Sequence, residues 1–365
     1  REKILEEHHS ELGPISTFGA MTALFFELCS RHQAQWQVVE VGMGGLYDAS
    51  NVFENTDLVV ITAISLEHTN ILGASIEEIA RNKAGIIKSG SSVILASQSD
   101  PSVSPLIREI CLERGAKLID VATEYQLISE SHDQNGQYFE LRKDGKLRQF
   151  HLKMLGEHQI QNAITAVAAA DEINARGVHV EEATLCRALE RVCVPGRLEL
   201  LQEAPPVVID GAHNGDSGRA LVKAVSRHFS SEKCIYVLGV NSDKDISSMI
   251  EAFRASAKLI IATRSASDKA MPPEQIAELS QQAGIPTEIS SSCEEAIEIA
   301  LRYAGAPKSE VAANKELICI TGSLYLIAEA REFLAASNLR WSLGENLAPD
   351  VRGAAELTVT RQAQG

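Results

Sequence analysis

The sequence predicts an α/β protein built from two doubly wound domains. Short β-branched runs alternate with longer helix-patterned stretches along the whole chain. The interruption Val194-Pro195-Gly196 falls between two such series, a Pro-Gly break suited to a domain boundary. The length of 365 residues also exceeds the range in which one hydrophobic core keeps growing.

In the first series the strand candidates are Val38 to Val41, Leu58 to Thr62, Val93 to Ala96 and Lys117 to Ile119. Helical patterns cover Thr17 to Arg31, Ser75 to Ile87 and Ser104 to Arg114. The more polar passage from Tyr125 to Leu152 alternates in strand fashion around Asp144-Gly145, which predicts a hairpin. An Ala-rich helix, Gln159 to Asn174, and a second, Glu181 to Arg191, lead to the Pro-Gly break. The second series is more regular. Its strands are Val207 to Ile209, Ile235 to Leu238, Leu259 to Thr263 and Leu317 to Thr321. Its helices are Ser217 to Phe229, Asp245 to Ala255, Pro273 to Ala283, Cys293 to Ala304 and Ser323 to Ala336. From Trp341 onward periodicity is lost, and a loosely ordered tail is expected.

Composition narrows the function classes. The balance of 34 Lys+Arg against 49 Asp+Glu gives a net charge of -15, which repels nucleic-acid backbone and anionic lipid. Neither a membrane-length apolar run nor an apolar signal segment stands in the sequence, so a cytoplasmic protein without nucleic-acid or membrane partners is expected. Seven scattered cysteines without a C-x-x-C pair argue against a disulfide framework and a zinc site.

Several residues could carry chemistry. Glu40 stands within the apolar run VVEV, where a carboxylate is costly to bury unless something positive meets it; an exposed strand position is the alternative. The Gly-rich turn Gly42 to Asp48 follows at once, but Tyr47 stands where the dinucleotide fingerprint needs its last glycine. His68 closes the next strand, although Mg²⁺ prefers oxygen ligands. Lys83 lies in a helix with apolar surroundings, and a lysine carrying CO2 as a carbamate would present two oxygens.

The blocks EVGMGGLYDASNV, ITAISLEHTNILG, IARNKAGIIK, LGEHQIQNA, PGRLE, IDGAHN, SDKD and TGSLYLIAEAR, in that order from about Thr17 to Arg331, resemble the folylpolyglutamate synthase/dihydrofolate synthase family of the Mur ligase superfamily. The resemblance implies a central ATP- and Mg-binding domain over 1–194, a smaller Rossmann-like glutamate-ligase domain over 195–338 and a tail over 339–365. It implies an ATP-dependent ligase that adds L-glutamate to tetrahydrofolate or dihydropteroate through an acyl phosphate, working as a monomer.

By motif, Glu40, His68 and an N6-carboxylated Lys83 would hold two Mg²⁺ ions, chemistry that suits phosphoryl transfer. Asn162 and His158 of HQIQNA would meet the adenine, and Arg197 of PGRLE the phosphates, where a planar donor fork matches phosphate oxygens. Asp210 would accept from the ribose or order its loop. His213 and Asn214 would line the cleft where glutamate and acyl phosphate meet. Ser323 and Tyr325 sit where a helix N-terminus suits the glutamate carboxylate, a plain serine cap being an equal account of Ser323. Leu46 and Lys269 stand where arginines are common in the family. No G-x-x-x-x-G-K-[ST] occurs in the sequence. The chain is therefore expected to begin inside the ATP-binding domain, and residues 1–365 alone to be inactive. The rival readings are a degenerate paralogue serving as a scaffold, and a Mur ligase acting on a cell-wall peptide precursor.

Overall fold

A computed structural model describes residues 15–133, 136–229, 233–305 and 316–336. The chain divides into two compact units: the residues up to Gln126 with Arg142–Lys146 and Ile164–Val180, and Leu127–Leu141 with Leu147–Ala163 and the chain from Glu181 onward. The expected tail lies outside the described residues.

The first unit is built on three parallel strands in sequential order, β1 (Leu58–Ile61), β2 (Ser92–Leu95) and β3 (Lys117–Asp120). Their apolar side chains meet the helices α3 (Ile76–Lys83) and α4 (Val103–Glu113) in a core that includes Val59, Ile79, Leu95 and Ile107. α3 starts where Ser75 accepts the Glu78 N–H, with Glu77 and Glu78 in its first turn, an arrangement that complements the helix dipole. Two further helices complete the unit's beginning, α1 (Thr17–Arg31) and the single turn α2 (Thr69–Leu72).

One expected strand is absent. Residues 38–41 adopt no regular structure, Val38 is 96% exposed and Glu40 is exposed as well. A strand forms by pairing its N–H and C=O groups with a neighbour, and no described strand pairs with this segment. The hydrophobicity of VVEV alone does not make a strand.

After the short helix α5 (Val121–Glu124), the expected hairpin becomes a three-stranded sheet of β4 (Gln126–Asp133), β5 (Gly136–Lys143) and β6 (Lys146–Leu152). Asp144 and Gly145 join β5 to β6 with positive φ at both positions, 48° and 77°, the backbone that a tight two-residue turn demands. The helices α6 (Glu157–Ala175) and α7 (Glu182–Arg191) follow, close to their expected spans.

The second unit centres on a six-stranded sheet. Its strands are β7 (Glu199–Glu203), β8 (Pro206–Asp210), β9 (Cys234–Leu238), β10 (Ala257–Ala262), β11 (Thr287–Ile289) and β12 (Leu317–Thr321), in the spatial order β11-β10-β9-β12-β8-β7. All pair in parallel except β7, which runs antiparallel to β8 and carries a register shift between Leu200 and Gln202. β9 and β12 are buried along their whole length, as the continuous apolar runs CIYVL and LICIT require of strands covered on both faces. The helices α8 (Gly215–Phe229), α9 (Ile246–Phe253), α10 (Pro273–Gln282), α11 (Cys293–Gly305) and α12 (Leu324–Ala336) cover it with two apolar layers, one around Tyr236 and Phe253, the other around Ile297 and Leu326.

At the C-terminal end of α8, the His228 ring accepts the Gly156 backbone N–H at its Nε2, 3.2 Å away, and meets His132 edge-on at 4.7 Å. Its Nδ1 is buried without a hydrogen-bond partner among the described residues. Burial, then the neighbouring His132 and Arg227, push the His228 pKa down to about 4. Because the unfolded chain takes up this proton near 6.5, stability is present above that value and declines as the pH falls toward about 4. Thermal denaturation at pH 7 and pH 5 is expected to show a larger loss for the native protein than for His228→Gln. Equal losses would remove His228 as the source.

Candidate active site

The Gly-rich turn of the first unit is organised around Asp48. Its carboxylate accepts the Met43 N–H at 2.8 Å and the Ser50 N–H and hydroxyl at 2.9 and 2.5 Å. Burial raises the Asp48 pKa, but the bonds from Ser50 and from the Met43 and Gly42 backbone outweigh it and hold the carboxyl below its usual range. The turn is stitched to the end of α3: the Leu46 N–H donates to Asn82 O at 3.0 Å, and Asn51 Nδ2 donates to Leu46 O and Gly85 O. A Cβ on Gly85 would stand 2.4 Å from Leu46 Cα, so the two backbones approach as only glycine allows. GGLYDASN and RNKAG thus make one folded loop pair.

Lys83 ends α3 with its ammonium 2.6 Å from the Glu67 carboxylate. His68 is next in sequence, exposed, with left-handed backbone (φ 47°, ψ 39°) that turns the chain into α2. No hydrogen bond or ion pair among the described residues joins Glu40 to His68 or Lys83. Mg²⁺ takes oxygen ligands, yet among the described residues no three histidine, cysteine, aspartate or glutamate side chains gather as a metal shell. A lysine ammonium engaged with a carboxylate is not a ligand either. The side chains as they stand do not fit a two-metal centre. Glu67, which sequence reasoning passed over, is the residue that meets Lys83.

The second unit brings its expected residues closer together. In its sheet β12 lies between β8 and β9, so the chain reverses direction across the sheet there, the kind of switch point where open α/β sheets bind ligands at the carboxyl ends of their strands. Asp210 ends β8 and the loop after it carries Gly211 to Asn214, while Gly322 and Ser323 lead from β12 into α12, which carries Tyr325. The two segments are joined by the Thr321 hydroxyl, which donates to Ala212 O at 3.2 Å.

Asp210 orders its loop. Its two carboxylate oxygens accept the Leu198 N–H at 2.8 Å and the Ala212 N–H at 2.9 Å. Burial raises its pKa, and the backbone bonds together with Arg197 and His158 pull it back without cancelling the rise. Arg197 is exposed, and its guanidinium lies beside Gly211, 3.3 Å from where a Cβ on that glycine would stand. His213 donates from Nδ1 to Gly211 O at 2.8 Å, because a carbonyl can only accept. In the neutral form of the half-buried ring that bond leaves Nε2 as the accepting nitrogen. Asn214 caps α8, its Oδ1 accepting the Ser217 N–H at 2.8 Å.

Ser323 is buried and accepts the Tyr325 N–H at 3.1 Å, capping α12, while the Tyr325 side chain is 59% exposed. The HQIQNA segment forms the first turns of α6. There His158 and Gln159 share a hydrogen bond of 3.0 Å between Nε2 atoms, and Asn162 donates to Gln159 Oε1 at 3.1 Å. Both His158 and Asn162 are exposed. The second unit therefore assembles His158, Arg197 and Asp210 as electrostatic neighbours, with His213, Asn214 and Ser323 on the adjoining loops.

These features can be set against known proteins. Residues 15–170 match the Mur ligase middle domain and residues 196–324 match the Mur ligase glutamate ligase domain, so the chain carries these two Mur ligase domains in order. A dihydrofolate synthase/folylpolyglutamate synthase of Bacillus subtilis is 31% identical over 328 residues, covering 89% of this chain and 74% of that protein. The folylpolyglutamate synthase of Mycobacterium tuberculosis complexed with ADP superposes with a TM-score of 0.83 at 28% identity, over 91% of this chain and 75% of that one. Escherichia coli FolC in complex with DHPP and ADP gives a TM-score of 0.69 at 26% identity, over 84% of this chain and 68% of that one. The chain belongs to the folylpolyglutamate synthase/dihydrofolate synthase family.

Proposed function

We infer that the protein is an ATP-dependent ligase that joins L-glutamate to tetrahydrofolate, to dihydropteroate or to both, by way of an acyl phosphate. The observation that carries the reading is the grouping of Arg197, the Asp210–Asn214 loop and Ser323 at the carboxyl edge of the parallel sheet of a Mur ligase. In the reaction the γ-phosphoryl group passes to the accepting carboxylate, and the glutamate amine then displaces phosphate from the acyl carbon.

Each side chain has a task that its geometry suits. The Arg197 fork offers paired N–H donors to phosphate oxygens. The free Nε2 of His213 can accept a proton from the incoming ammonium, producing the nucleophilic amine. Asp210 fixes the loop that carries His213 and holds it against Leu198. Asn162 and His158 present amide and imidazole groups to the adenine, and the α12 N-terminus with Ser323 and Tyr325 faces the glutamate carboxylate. Lys83 and Glu40 with His68 belong to the same proposal as holders of two Mg²⁺ ions, Lys83 as its N6-carboxylate. Since the side chains do not form that shell here, no step above passes through a metal.

The domain reading over 1–194 and 195–338 is part of this proposal, supported by the spans of the two matches; the compact units differ from it in taking residues 127–141, 147–163 and 181–194 with the second. So are cytoplasmic location and a monomeric state; among the described residues no helix is long and apolar enough to cross a membrane.

Phosphate release distinguishes the substrates. With ATP and glutamate, the full-length protein is expected to release phosphate on addition of tetrahydrofolate or dihydropteroate and not on addition of a UDP-linked peptide precursor. Oxygen-18 placed in the accepting carboxylate is expected in the released phosphate. Label retained wholly in the amide would exclude the acyl phosphate, and release with neither folate substrate would overturn the reading.

A further inference from the structure

The segment that carries His158 and Asn162 does not hold its own shape. Its entry residue, Gly156, is fixed from two sides by residues distant in sequence. Its N–H donates to His228 Nε2 at 3.2 Å, and its carbonyl accepts from Gln137 Nε2 at 3.0 Å. Gln137 lies buried on β5 and also donates to Met154 O at 2.6 Å, so it holds the turn on both sides of Leu155. Gly156 has φ +107°, backbone that a side chain rarely adopts, and a Cβ there would stand 2.7 Å from the His158 ring. The imidazole of His158 therefore packs directly on the Gly156 backbone. From it the contacts run on through Gln159 to Asn162.

The second anchor of this segment is also on α8. Lys223, about one turn before His228, pairs with Glu157. Arg227 pairs with Glu130 on β4 at 2.7 Å and, through its carbonyl and guanidinium, brackets the His132 ring that lies against His228. The same helix is capped by Asn214, beside His213. One helix thus supports the loop of His213 at its start and the turn of His158 at its end.

His228 takes no part in the chemistry proposed above, yet it accepts a backbone N–H while its Nδ1 lies buried without a partner among the described residues.

We propose that His228 is a positioning residue for nucleotide binding: by accepting the Gly156 N–H it sets the backbone on which the His158 ring rests and, through Gln159, the direction of the Asn162 amide. The proposal rests on the reading that His158 and Asn162 meet the nucleotide.

In the full-length protein, the test compares His228→Leu, which removes the acceptor, with His228→Gln, whose Oε1 extends to the place of Nε2. Direct calorimetric binding of ADP is measured with steady-state kinetics. His228→Leu is expected to weaken ADP binding and raise the KM for ATP about fivefold to tenfold, the effect of one hydrogen bond. The kcat and the KM for glutamate stay within about twofold. His228→Gln is expected to restore ADP affinity to near the native value. If His228→Leu does not fold, His228→Asn replaces it, since its shorter amide leaves the Gly156 N–H unpaired, and the same loss is expected.

Unchanged ADP affinity in the folded variant that lacks the acceptor overturns the proposal, as does an equal rise in the KM values for ATP and glutamate. Failure of His228→Gln to restore affinity also overturns it. Asn162→Ala and His158→Ala separate the two levels of inference. If neither changes ADP affinity, the nucleotide reading of the segment fails; if either does while the His228 variants do not, only the positioning role fails.

Discussion

In the full-length protein, replacing Arg197 by alanine is expected to lower kcat for glutamate ligation by about a thousandfold, the scale of removing a cation that neutralises charge developing during phosphoryl transfer. The side chain is exposed on the surface of its unit, so its removal opens no core cavity, and the melting temperature should stay close to native. Its turn is held by backbone bonds that do not involve the guanidinium, from Arg197 N–H to Val194 O and from Gly211 N–H to Gly196 O. Arg197→Lys keeps the charge but loses the fork, and a recovery of no more than about tenfold is expected because a point charge cannot make paired N–H bonds. Native kcat in a folded Arg197→Ala protein would refute the phosphate role. A collapse of stability would instead place Arg197 in the scaffold of the Asp210 loop.

The largest effect on stability is expected at Gly322. Its φ of +111° lies where residues with a side chain are strained, and a Cβ there would stand 2.6 Å from Gly239 O and 2.9 Å from Val240 Cγ1. Gly239 follows β9 and Gly322 follows β12, so the added methyl would press apart the carboxyl ends of two neighbouring buried strands. Neither neighbour can swing aside as the tip of a long side chain would. Strain and overpacking together put the loss for Gly322→Ala on the order of 4 kcal/mol, measured by urea denaturation. A loss under about 1 kcal/mol would mean that the strand ends shift freely. Gly284, with φ +77° and nothing near its Cβ position, is the control: Gly284→Ala tests φ without the clash and should cost less.

The parallel-sheet elements were readable because local pattern determines them. Continuous apolar runs such as CIYVL and LICIT admit few other fates, and Asp144-Gly145 announces its turn. β7 and β11 escaped notice because ELLQE begins and ends in glutamate and TEI is three residues long, too short to show a period. VVEV misled for the opposite reason: its composition suits a strand, but pairing decides, and pairing is not local. The site divides in the same way. Motif resemblance pointed to Asp210, His213 and Ser323, which the fold brings to adjoining loops. It could not reveal that Lys83 meets Glu67, nor that Gly156 leans on His228 and Gln137, 72 and 19 residues away. Contacts of that span leave no periodicity in either partner's neighbourhood.

The outer strands of the six-stranded sheet have a consequence for life in a crowded solution. An open sheet ends in rows of unpaired N–H and C=O groups that can recruit a strand from another molecule, the first step toward amyloid-like association. Among the described residues one border, β11, has only three residues, and the other, β7, is broken by its register shift between Leu200 and Gln202 and has Glu199 and Glu203 at its ends. Brevity on one side, and a kink with negative charge on the other, deny an incoming strand a straight template. The second unit can thus keep strongly apolar central strands without offering its margins as nuclei for fibrils.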